Sequence, residues 1–149
     1  MLAMCSTILT EAPMVRSILA IVIGFVFIGV LAFGTDAALR AAMPDAFGPA
    51  GRVDSVPLLL FTQLYVFVYA VAGCYLAARI AGRKPMQHAL ILGALGLVFN
   101  VIGSVKMWDT APAWYHIVAL LLVMPAAWLG GRIRERQLPS PSTLAPARV

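Results

Sequence analysis

The chain has 149 residues, of which 62% are hydrophobic and only 11% charged, with a mean hydropathy of +0.92. A water-soluble domain carries about 25% charged residues, so a solvated globule is excluded, and the length leaves no room for a separate globular domain beside a membrane unit. The net charge of +5 raises the question of a nucleic-acid partner, but its placement along the chain points to membrane orientation instead.

The 11 Lys/Arg and 6 Asp/Glu side chains all lie outside four apolar segments, Ser17–Thr35, Pro57–Ala78, Met86–Val105 and Ala111–Gly131. Each has about 20 residues, and at ~1.5 Å per residue a helix of that length crosses the ~30 Å hydrocarbon layer of a bilayer. A backbone in lipid has no water to bond, so each segment is expected as an α-helix. The predicted fold class is all-α, a four-helix transmembrane bundle with short loops.

In chain order, residues 1–15 have little pattern and read as a disordered leader, with Met14-Val-Arg-Ser resembling a true start. A cleaved secretory signal is disfavoured, because the apolar run from Ser17 exceeds the ~7–15 residues of a signal core. The first helix should outlast the bilayer and reach about Met43, helped by an i,i+4 pair between Asp36 and Arg40, before Pro44 ends it. Pro44–Val56, with Gly48, Pro49 and Gly51, reads as an irregular loop, and Pro57 suits the first turn of the second helix. Gly82-Arg-Lys-Pro85 and Asp109–Pro112 read as tight turns. Pro125 falls inside the fourth span, where it frees the carbonyl of Leu121 and should kink the helix. Residues 135–149, rich in Pro, Ser and Ala from Pro139, read as a disordered cytoplasmic tail, leaving 16–134 as the transmembrane domain.

Charge sets the expected orientation. The segments before the first span, between the second and third, and after the fourth hold eight Lys/Arg residues, against three in the other two loops. The positive-inside rule then places both termini in the cytoplasm, N-in and C-in. Trp108, Trp114 and Tyr115 flank the outer ends of the last two spans, and Trp128 the inner end, as headgroup-level aromatics do. Arg79, Arg83, Lys84 and Arg132 are expected to face anionic lipid at the cytoplasmic surface. The arginines of the Arg132–Arg136 stretch alternate with other residues, a solvated, lipid-facing run rather than a nucleic-acid patch. The expected partners are the bilayer and further copies of the chain as a homo-oligomer, with no nucleic acid.

Helices in lipid approach one another at small residues. One face of the third span carries Ala89, Gly93, Gly96, Asn100 and Gly103. The fourth carries His116, Ala119, Val123, Ala126 and Gly130, the second Gln63, Ala70 and Ala77 beside Gly73, and the first Gly29, Ala32 and Asp36. These stripes are expected to form the seam of a left-handed bundle. Each stripe contains one polar residue, and all four fall in the outer half at depths that agree within a turn or two. Asp36, Gln63, Asn100 and His116 are therefore a candidate cluster. Its structural reading is interhelical hydrogen bonding at ~0.6–2 kcal/mol per bond; its functional reading is a polar pocket for a small ligand, metal or headgroup.

Other chemistry finds no support in the sequence. Phosphate-loop, H-E-x-x-H and G-x-S-x-G motifs are absent, so no enzyme, catalytic residue or cofactor is expected. One His and one carboxylate fall short of the three or four ligands zinc takes, so no metal is expected either. His88 reads as an interfacial side chain near Arg83 and Lys84. Cys5 and Cys74 form no disulfide framework, and Cys74 reads as a small packing residue. Small multidrug exporters share the span count, but the glutamate embedded in their membrane region is missing.

A closer resemblance rests on Gly34-Thr-Asp36, Ala72-Gly-Cys-Tyr-Leu-Ala-Ala-Arg79-Ile, Pro85-Met-Gln-His88-Ala-Leu, Pro112-Ala-Trp-Tyr-His116 and Pro125-Ala-Ala-Trp-Leu-Gly-Gly-Arg132. Over about residues 14–134 the chain resembles a group of small four-span bacterial inner-membrane proteins of unassigned function. The resemblance implies topology, and that Asp36, Arg79, His88 and His116 matter. The expected role is a structural or accessory membrane protein acting through helix or lipid contacts, the alternative a homo-oligomeric transporter or channel for a small solute.

Overall fold

The computed structural model describes residues 13–138. The expected leader up to residue 12 and the tail from residue 139 lie outside the described residues. Four helices account for nearly all the rest: α1 Pro13–Ala42, α2 Val56–Ala81, α3 Pro85–Lys106 and α4 Ala113–Arg136. All four are long and apolar enough to cross a membrane, and no strand occurs among the described residues. The helical unit is slightly longer at both ends than residues 16–134.

The helix ends follow local chemistry. α1 stops at Ala42, just before Pro44, and the loop it enters is more ordered than an irregular coil, with short 3-10 turns at Pro44–Ala46 and Pro49–Gly51. Pro57 sits in the first turn of α2, where its missing amide costs nothing. Gly82 closes α2 at φ +74°, a conformation that needs glycine, and Lys84 takes the left-handed region before Pro85 opens α3. The Nε of Arg16 donates to the carbonyl of Ile80 at 2.7 Å, placing a cation on the last turn of α2, where the helix dipole favours it. α4 runs unbroken through Pro125.

Packing differs between the two halves of the bundle. α2 lies against all three other helices, α4 packs on α2 and α3, and α1 rests on α2 with a lighter contact to α3. In the half that holds the start of α1, the end of α4 and the turn at 82–84, the contacts are backbone-close. A Cβ at Gly24 would lie 2.8 Å from Leu92 and 2.9 Å from the carbonyl of Gly73, and one at Gly130 would lie 2.6 Å from the carbonyl of Val71. Cys74, Ala77, Ala78, Ala89, Leu92 and Ala127 fill this half, with Ile21, Phe25 and Ile28 against them. In the other half, a Cβ at Gly29, Gly34 or Gly103 would meet nothing within 4 Å. Small residues draw the helices together at one end, and at the other the helices part.

The α1 seam therefore differs from the sequence expectation. Its contact face runs through Ala20, Gly24 and Ile28 rather than Gly29 and Ala32. The last turns of α1 are instead tied to α2 by hydroxyls. Tyr65 donates to Asp36, and Thr35 and Tyr69 share a hydrogen bond of 3.1 Å. These tyrosines belong to an i,i+4 ladder of Phe61, Tyr65 and Tyr69, with ring centroids 5.5 and 5.6 Å apart. Tyr69→Phe should lower stability by about 0.6–2 kcal/mol without impairing insertion, as measured by unfolding in mixed micelles.

Candidate functional site: a polar chamber between the parted helices

Where the helices part, they enclose a cavity of about 320 Å³. Every helix contributes a polar residue to its wall: Asp36 from α1, Gln63 from α2, Asn100 from α3 and His116 from α4. Gln63 and His116 are 8% and 5% exposed, whereas Asp36 and Asn100 are half-buried, so the chamber runs deepest toward α2 and α4. Phe47, Gly51 and Val53 of the loop between α1 and α2 form part of its roof. That loop is fixed to the α3–α4 turn, because the amide of Val53 donates to the carbonyl of Thr110 at 2.9 Å and the guanidinium of Arg52 to that of Asp109 at 3.3 Å. No wall residue lies deeper than Val66, Asn100 and Ala119. Beyond them the close-packed half begins.

Among the described residues, no hydrogen bond joins Asp36, Gln63, Asn100 and His116 to one another. Asp36 Oδ1 accepts from Tyr65, while Asn100 Oδ1 accepts from Ser104 of its own helix at 3.4 Å. His116 is held by rings rather than polar contacts. It stacks on Trp108 at 5.1 Å with planes 18° apart, and meets Tyr115 edge-on at 5.7 Å. Its Nε2 is buried with no hydrogen-bond partner. Leaving such an atom unpaired costs about 1–3 kcal/mol, so it needs an explanation beyond packing.

The i,i+4 pairing expected between Asp36 and Arg40 is not formed: the two ion pairs among the described residues are Arg52–Asp54 and Arg132–Glu135. Asp36 is engaged by the Tyr65 hydroxyl, and Arg40 lies over the ring of Phe47 at 5.3 Å. Each charge finds a tertiary partner that i,i+4 reasoning does not see, and both still line the chamber.

Five further polar wall residues, Thr62, Tyr65, Ser104, Thr110 and Tyr115, lie beyond the cluster expected from the sequence. Ser104 lies one turn from Asn100, a signal available in the spacing. Tyr115 reads as a headgroup aromatic in sequence but lines the chamber together with Asp36 and His116. Thr62 bonds to the carbonyl of Leu58 at 3.0 Å, the usual fate of a threonine inside a helix.

The basic residues singled out in sequence lie at the opposite end. Arg79, Arg83, Lys84 and Arg132 are exposed there, with Arg132 donating to Glu135 at 3.3 Å. The ring of His88 is 3.1 Å from the carbonyl of Lys84, well away from the chamber. Among the described residues no group of three His, Cys, Asp or Glu side chains converges as a metal site would require.

The fold and site together define a class: among the described residues, a helical bundle with four potential membrane spans and a polar chamber in one half. Comparison with family models, with curated proteins and with solved structures finds no match to this chain.

Proposed function

We propose that the chain is an accessory protein of the bacterial inner membrane that binds a small polar solute in this chamber, without catalysing a reaction on it. Both termini lie in the cytoplasm in this reading, so the chamber faces the periplasm, and Arg79, Arg83, Lys84 and Arg132 meet anionic lipid on the inner side. The resemblance to small four-span bacterial membrane proteins fits this topology and is silent on the ligand. The observation that carries the proposal is the unpartnered Nε2 of His116, buried in a wall to which all four helices supply a polar side chain. Side chains serving purely as interhelical glue would bond one another, and these four do not. Conduction by a single chain is disfavoured because the wall ends above the core around Leu92, and a homo-oligomeric pore would need a path outside the chamber.

Cysteine accessibility tests the proposal. Gln63→Cys and Asn100→Cys, in a Cys5→Ser background, should react with a membrane-impermeant thiol reagent in right-side-out vesicles and stay unreacted in inverted ones. Cys74, which is buried in the packed half, should resist the reagent in both. Reaction from both sides would indicate a continuous path, and reaction from neither would mean a sealed core; each result overturns the proposal.

A further inference from the structure

Resting on the chamber reading, the geometry points to a ligand class: we propose that the chamber binds a small organic ammonium, its charged nitrogen on Asp36 and its body between Tyr65 and Tyr115. Asp36 is the one acidic residue among the described residues of the wall. Its Oδ1 accepts from Tyr65, and no described group donates to its Oδ2. Asp36 is half-buried near the end of α1, and a carboxylate drawn partly out of water is stabilised by a cation that pairs with it. Arg40, the one Lys or Arg among the described residues of the wall, does not pair with it, because its guanidinium is held over Phe47 and beside Gly51. The carboxylate is therefore fixed by a neutral hydroxyl and left without a counter-charge.

The surroundings favour an organic cation over a metal ion. Ca²⁺ takes about six to eight oxygen ligands and Zn²⁺ about four, which one carboxylate and one imidazole do not supply. Aromatic faces stabilise ammonium groups, and Tyr65 of α2 and Tyr115 of α4 both line this wall. The amide of Gln63 and the unpaired Nε2 of His116 offer hydrogen bonds in the same wall. A volume of about 320 Å³ lies at the lower end of the range for small-molecule pockets.

The test uses the full chain in detergent micelles and three probes that share a phenethyl or benzyl body. Isothermal titration with phenethylammonium, 2-phenylethanol and phenylacetate at low salt should give saturable binding for the ammonium alone. Asp36→Asn should weaken that binding by about tenfold to a hundredfold, and Asp36→Glu should retain most of it. If Asp36→Asn does not fold, the charge selectivity of the unaltered chain decides the matter by itself. Equal binding of all three probes, or no binding of the ammonium, overturns the ligand class while leaving the chamber to the thiol experiment, so the two failures are distinguishable.

Discussion

Gly130→Ala should destabilise the bundle severely, whereas Gly29→Ala and Gly103→Ala should leave it unharmed. A Cβ at Gly130 would lie 2.6 Å from the carbonyl of Val71, 2.8 Å from the Cβ of Cys74 and 2.8 Å from the amide of Tyr75. Two of these three atoms are backbone, so no rotamer change relieves the clash and α4 must move away from α2. Overpacking of this kind costs about 1–3 kcal/mol, and a rigid backbone neighbour puts the expected loss at or above the upper end. At Gly29 and Gly103 the added methyl meets nothing within 4 Å. There the usual advantage of alanine over glycine in a helix, about 1 kcal/mol in water, should appear as no change or a small gain. Unfolding in mixed micelles checks all three variants. A similar loss in each would show that the helices do not part as described.

His116→Phe and His116→Ala should shift stability in opposite directions. Phenylalanine keeps a ring to stack on Trp108 and removes the buried, unpartnered Nε2, so the melting temperature should rise, by the equivalent of about 1 kcal/mol. Alanine loses the ring stack, worth about 0.5–1.5 kcal/mol, and the volume of the side chain with it, so stability should fall while insertion persists. If the phenylalanine variant melts as low as the alanine variant, Nε2 is bonding a neighbouring helix and the structural reading of the cluster replaces the binding one. A rise in melting temperature accompanied by weaker ammonium binding would separate stability from function at this one atom.

Much of the architecture is legible in the residues because lipid imposes few options. The exclusion of charge from Ser17–Thr35 and its three counterparts identifies the helices. Pro44, Pro57 and the Gly82–Pro85 turn locate their ends to within a residue or two. The depth of Asp36, Gln63, Asn100 and His116 along their helices brings them to one level, and the structure arranges them around one cavity. Depth is a one-dimensional quantity that helix rise supplies directly.

Lateral packing is not so readable. Ala20, Gly24 and Ile28 are as regularly spaced as Gly29, Ala32 and Asp36, and only the close approach of Gly73 and Leu92 selects the first set. Small residues occur in both halves of the bundle, so their presence does not reveal that the helices meet in one half and diverge in the other. Tyr65, Asp36, Phe47 and Arg40 form two tertiary pairs in place of the one local pair that spacing favours. Tyr115 has the composition of an interfacial anchor, and its rotation about α4 turns it into the wall.

The shallow floor of the chamber has an electrical consequence. In the proposed orientation, water reaching down to Val66, Asn100 and Ala119 would carry the outside potential with it, so most of the transmembrane voltage would fall across the insulating layer of Leu92, Gly24, Gly73 and Ala127. Carrying one charge through the full field takes about 2.3 kcal/mol per 100 mV, and a cation stopping at Asp36 would traverse only a small part of it. In that orientation, occupancy should track the concentration of the ligand on the chamber's side of the membrane and remain nearly indifferent to whether the cell is energised.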